Sequence, residues 1–136
     1  MLARKRLAVF YKSVVRPVLE YACVVWQHNL TVGQCDRLEA LQKRALLIIL
    51  HPITLSYTTA LAWFELDTLK SRRSNMAKDF FQQMCQPDNC LHGLLPPERD
   101  SELLSRLRHP LTYPLPNIRT KRYCSFVNYA LRNYQQ

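Results

Sequence analysis

The residues most able to hold a metal ion or act as nucleophiles are five cysteines and four histidines. Cys85, Cys90, His92, His109 and Cys124 offer zinc-ligand chemistry. Their order, C-x4-C-x-H and then a long gap, matches no close-knit ligand pair of the usual kind. Semi-buried thiols and loop histidines account for them, and a cysteine–histidine nucleophile is the weaker alternative. The aspartates at 36, 67, 79, 88 and 100 are scattered, with no Asp-Asp pair. Two-metal chemistry therefore has no ligand set. Gly33 and Gly93 are the only glycines, too few for a loop that cradles phosphate. The sequence predicts no catalytic residue, no metal, no cofactor and no small-molecule substrate.

The basic residues carry more information. The net charge is +9, which favours an anionic partner, nucleic acid first and a membrane surface second. Residues 1–19 hold five Lys or Arg and no acid, and residues 103–136 hold six and no acid. Lys12, Arg16, Arg37, Lys43, Arg44, Arg72, Lys121 and Arg122 stand among Tyr and Trp residues. That mixture suits non-specific contact with the backbone of RNA or DNA, with bases stacked on rings. The competing reading is a solvated basic surface, with Arg16 paired to Glu20 one turn on. The longest apolar run, Ala45–Leu50, is far too short to span a membrane. No signal peptide is read at the N-terminus, so a nuclear or cytoplasmic, non-secreted protein with reduced thiols is expected.

These side chains need helices to position them. A helix is predicted from about Lys5 to Trp26. Leu7, Tyr11, Val14, Val18, Tyr21, Ala22 and Val25 lie on one side of it, and Lys12, Arg16 and Glu20 lie opposite. A face that broad should be covered by other helices of the chain. Pro17 should kink it or open a second helix, and Trp26 widens the apolar side. Thr31 and Gln34 form a capping box for a second helix reaching Leu50. Its predicted stripe is Cys35, Leu38, Leu41, Ala45, Ile48 and Ile49, with the last turn buried end-on. Ser56 should cap Tyr57–Phe64, and Thr68 should cap Leu69–Cys85. Arg73 falls within the apolar stripe of that fourth helix, so it should reach Glu39 or Glu20 or cap carbonyls, the alternative being contact with phosphate beside Arg72. Arg72, at the edge, should meet phosphate. Prolines punctuate the remainder, with short helices expected at Glu98–Arg108 and Phe126–Tyr134, and a strand at Ile118–Cys124. The fold class is all-α. A small bundle of about four main helices, residues 1–86, carries a Pro-rich, less regular extension, residues 87–136, packed on it.

Motif order adds a resemblance. Y-K-S-V-V-R-P-V-L-E-Y-A-C-V-V-W, L-T, R-L-E-A-L-Q-K-R-A-L, Y-T-T-A-L and L-D-T-L-K-S-R-R resemble the region after the catalytic palm of LINE-type, non-LTR retrotransposon reverse transcriptases. C-L-H-G-L-L-P-P, R-T-K-R-Y-C-S-F and Y-A-L-R-N-Y resemble the C-terminus of the same polyproteins, of the Jockey-related kind. The match covers about residues 7–136. It implies a helical thumb-like and post-thumb segment that holds RNA template and DNA primer, with an upstream palm domain as partner. In that family the metal-binding aspartates sit in the palm, in a Tyr-x-Asp-Asp strand, so the resemblance implies no catalysis by this part. The family copies itself from the RNA 3′ end, and a reading frame opening just before the thumb is what a truncated copy would leave. Leu47 departs from the family, which usually has a basic residue there. The alternative is a free-standing helical module that binds nucleic acid or protein and has no enzymatic role.

Overall fold

A computed structural model describes residues 2–120 and 125–135, and every regular element among them is helical. In chain order these are α1 (Leu2–Phe10), a π-helical turn (Tyr11–Val15), α2 (Arg16–Glu20), α3 (Cys23–Trp26), a 3-10 turn (Gln27–Asn29) and α4 (Val32–Leu50). There follow α5 (Tyr57–Trp63), α6 (Leu69–Met84), a 3-10 turn (His92–Leu94), α7 (Ser101–Arg106) and α8 (Phe126–Asn133). The expected strand does not form over residues 118–120, and residues 121–124 lie outside the described residues.

Local chemistry sets most boundaries. The Gln34 amide donates to Thr31 Oγ1 at 3.3 Å, and Gln34 Oε1 accepts from the Thr31 amide at 2.9 Å. This is the predicted capping box of α4. Ser56 accepts from the Thr59 amide, Thr68 from Ser71, and Ser125 from Asn128, opening α5, α6 and α8 as expected. Asp100 caps α7, which is shorter than the predicted Glu98–Arg108. Pro17 sits in the first turn of α2, directly after the π turn Tyr11–Val15, where the helical ladder adjusts to its missing N–H. The helix does not continue to Trp26, however. Ala22 takes φ 50°, a left-handed conformation unfavourable for a residue with a Cβ, and α3 starts afresh after it.

The chain divides into two units, Met1–Cys23 with Leu30–Ser74, and Val24–Asn29 with Asn75–Gln136. The division falls inside α6 and not at residue 86. Phe81, from the second half of α6, is buried with Tyr113, Ala130 and Leu131, which ties that half to the C-terminal elements. Unit two is bordered by rings: His28 lies 5.5 Å from Tyr129, and Phe80 meets Phe126 edge-on at 5.5 Å. Gln27 Nε2 donates to Tyr134 Oη at 3.1 Å. Trp26 is half-buried in this unit.

Unit one has its apolar core in Ala8, Tyr11, Leu46, Ile49, Leu50, Ala60, Leu61, Phe64 and Leu66. At its centre lies a polar residue, Gln42, with no exposed surface. Tyr11 Oη donates to Gln42 Oε1 at 2.7 Å. Gln42 Nε2 donates to Tyr57 Oη and to the Asp67 carbonyl, each at 3.0 Å. Tyr57 Oη donates to Glu39 Oε1, and Glu39 also accepts from the amides of Leu69 at 3.3 Å and Lys70 at 3.4 Å. A carboxylate there satisfies orphan donors at the positive end of α6.

The phase of α4 differs from the predicted stripe. Gln42, Leu46, Ile49 and Leu50 are buried, while Leu41, Leu47 and Ile48 are exposed. The last turn is therefore buried on one side and not end-on. Rotation toward Gln42 is what lets the amide reach two tyrosines and a carbonyl.

Replacing Gln42 with Ala leaves the buried Tyr11 hydroxyl without its acceptor and removes the donor to Tyr57 and to the Asp67 carbonyl. We expect a loss of about 2–4 kcal/mol of stability, read as a lower denaturant midpoint with little change in slope.

Candidate nucleic-acid interface

Among the described residues, the predicted basic set does not converge on one groove. Lys12 is half-buried, and its Nζ donates to the Phe64 carbonyl at 2.8 Å, closing the end of α5. Arg16 Nε lies 4.0 Å from Glu20 Oε2, the one-turn pairing named as the competing reading. Arg72 Nε and Nη2 both donate to Glu20, at 2.7 and 3.2 Å. The carboxylate proposed for Arg73 is thus held by Arg72, the residue assigned to phosphate. Glu39, the other carboxylate named for Arg73, is bonded to Tyr57 and the start of α6. Arg73 itself is 1% exposed, as its place on the apolar stripe of α6 implied.

Arg37, Lys43 and Arg44 are exposed on α4. Arg37 and Arg44 stand two turns apart on the face turned away from Gln42. At a rise of about 1.5 Å per residue they are separated by about 10 Å along the axis, close to three steps of duplex rise at about 3.4 Å each. The exposed side chains of Leu41, Leu47 and Ile48 flank them. Lys121 and Arg122 lie outside the described residues.

Sequence reasoning missed Gln42, Glu39, Tyr11 and Tyr57 as one hydrogen-bonded group. A signal was present: Gln42 stands where an apolar residue would continue the Leu38, Leu46, Ile49 spacing of α4. A polar side chain at a core position needs partners, and Tyr11 and Tyr57 are long enough to supply them. Burial pushes the Tyr11 phenol up to about 12, with nearby Arg16 opposing and Glu20 and Glu39 adding to the rise. Tyr57 is also raised, first by burial and then by its bond to Glu39. The bond to Glu20 holds the Arg72 guanidinium more firmly protonated, against the opposing effect of burial.

Unit two offers a separate cleft of about 570 Å³ bordered by Lys78, Cys85, Glu98 and Tyr113. Burial pushes the Cys85 thiol up, opposed by the Tyr113 hydroxyl, which disfavours the nucleophilic thiolate. Among the described residues no group of three or more His, Cys, Asp or Glu could hold a metal ion; Cys124 lies outside them. Likewise, no described helix is long and apolar enough to cross a membrane.

Compared with known proteins, the chain matches no family model, no curated protein and no solved structure.

Two outcomes follow from this geometry. Arg72→Ala leaves Glu20, whose side chain is 7% exposed, without its bidentate partner. Melting should fall by several degrees, corresponding to about 2 kcal/mol, and Arg72→Lys should restore only part of it. Alkaline pH provides the second. A fold that favours the neutral phenol of Tyr11 is fully stabilised by it below the ordinary value of 10.0. That stabilisation is lost as pH rises from 10.0 through about 12. Phenolate absorbance and loss of helical circular dichroism should rise together across that window, and Tyr11→Phe should flatten its share.

Proposed function

We propose that this chain is the thumb-like and post-thumb part of a LINE-type retrotransposon reverse transcriptase. It binds template and primer through backbone contacts and performs no catalysis of its own. One observation carries the reading beyond motif order. The stretches on which the resemblance rests meet through side-chain bonds: Tyr11 of Y-K-S-V-V-R-P-V-L-E-Y-A-C-V-V-W with Gln42 of R-L-E-A-L-Q-K-R-A-L, Glu39 of the latter with Leu69 of L-D-T-L-K-S-R-R, and Glu20 of the first with Arg72 of L-D-T-L-K-S-R-R. Residues scattered over some sixty positions of sequence thus serve one folded unit, as the retained core of a single ancestral domain would.

The nucleic-acid surface on this reading is α4, because Arg37, Lys43 and Arg44 are the members of the predicted basic set exposed in unit one. Lys12, Arg16 and Arg72 support the unit instead. An upstream palm would supply the metal-binding carboxylates. The second reading, a helical module for protein binding, is favoured by the exposed apolar residues of α1 and α2.

The experiment is a salt titration of the chain on RNA–DNA duplex. Log K should fall linearly with log salt, and Arg37→Ala and Arg44→Ala should each lower the slope by about one unit with unchanged melting. Primer extension with magnesium should give no incorporation. A flat salt dependence refutes the binding role, and extension by the pure chain refutes the non-catalytic one.

A further inference from the structure

The first two helices sit in unit one with their polar side inward. Ala8 and Tyr11 are buried, Lys12 bonds the Phe64 carbonyl, and Glu20 bonds Arg72. Of the side predicted to lie in the core, Tyr11 turns inward, but Leu7, Val14, Val18 and Tyr21 face out instead. Leu7, Phe10, Val14, Val18 and Tyr21 are 48, 56, 48, 75 and 81% exposed. They are spaced three, four, four and three residues apart, so they form one continuous seam along α1, the π turn and α2. Isolated exposed apolar residues are normal on a protein surface, but a contiguous run marks a surface that something covers.

Charge says what that something is. Lys5 and Arg6 are exposed beside the seam, residues 1–19 contain no acid, and Glu20 is held by Arg72. A second copy in isologous contact would bring like charges together along an acid-free surface. Phosphates of a nucleic acid would leave leucine, valine and phenylalanine uncovered. A seam spaced by threes and fours matches the knobs of another helix better than the broad apolar face of an interfacial membrane helix. Beside the seam, Leu2, Val9 and Phe10 with Lys5, Arg6 and Ser13 bound an open hollow of about 510 Å³, which can take a partner's apolar side chain with a carboxylate at its rim.

We propose that Leu7, Phe10, Val14, Val18 and Tyr21 form a docking surface for an amphipathic helix of a separate protein, one that carries Asp or Glu beside its own apolar stripe. The partner's stripe packs along the seam, and its carboxylates pair with Lys5 and with the forked guanidinium of Arg6. This use of α1 and α2 is independent of nucleic-acid binding through α4.

The test uses the full chain and two synthetic helical peptides with the same leucine stripe, one flanked by Glu and the other by Lys. The Glu peptide should bind at least about tenfold more tightly, and less so as salt rises. Phe10→Asp and Val14→Asp should each weaken it by about tenfold or more. Their unchanged melting and unchanged RNA–DNA binding would separate this surface from the rest. A Lys5→Glu, Arg6→Glu double variant should reverse the preference toward the Lys peptide. Equal affinity for the two peptides, or binding of neither, overturns the proposal. So does capture by phosphatidylserine vesicles that Val14→Asp abolishes while the Glu peptide fails to bind. A concentration-dependent dimer that Val14→Asp abolishes would assign the seam to a second copy and overturn it equally.

Discussion

Unit one is organised by the need to satisfy one fully buried amide. Gln42 can accept at Oε1 and donate twice from Nε2, and it does all three, to Tyr11, Tyr57 and the Asp67 carbonyl. Each partner comes from a different segment: the π turn after α1, the start of α5, and the loop before α6. An unsatisfied amide in a dry core costs far more than a satisfied one gains, so these segments are constrained together. Glu39, one turn earlier on α4, extends the constraint by closing the first turn of α6. Through Gln42 and Glu39, α4 thereby sets the position of its neighbours.

That constraint also redistributes the charge. Once Tyr11 points at Gln42, Lys12 lies within reach of the end of α5, and Arg16 and Glu20 follow along the same side at four-residue intervals. Glu20 then draws Arg72. Three cations that a charge map would assign to an open surface serve as internal fasteners. The cations left exposed on α4 are those on the side turned away from Gln42. The same rotation brings out Leu41, Leu47 and Ile48 on α4 and the apolar seam on α1 and α2.

On the reading favoured above, two chemistries share unit one without sharing residues. The guanidinium groups of α4 suit phosphate, whose attraction is long-ranged and salt-sensitive. The seam of α1 and α2 suits an apolar partner, whose contribution scales with buried area and is steered by the nearby Lys5 and Arg6. A chain derived from a larger polymerase would need both: one to hold nucleic acid and one to stay attached to other protein.

The sequence by itself determined what depends on neighbours within a turn or two. The all-helical class, the Thr31–Gln34 box, the caps at Ser56, Thr68 and Ser125, the place of Pro17 and the burial of Arg73 were legible, because caps act over three residues and an apolar stripe over four. Only the tertiary structure decided which way the first helix faces, the rotation of α4, the partner of Glu20 and the division of the chain within α6. Periodicity says that Leu7, Val14 and Val18 share a face; it does not say that the rest of the chain will cover it. That outcome rests on Tyr11 meeting Gln42 across 31 positions of sequence, a pairing made by the geometry of packed helices and by the cost of leaving an amide unsatisfied.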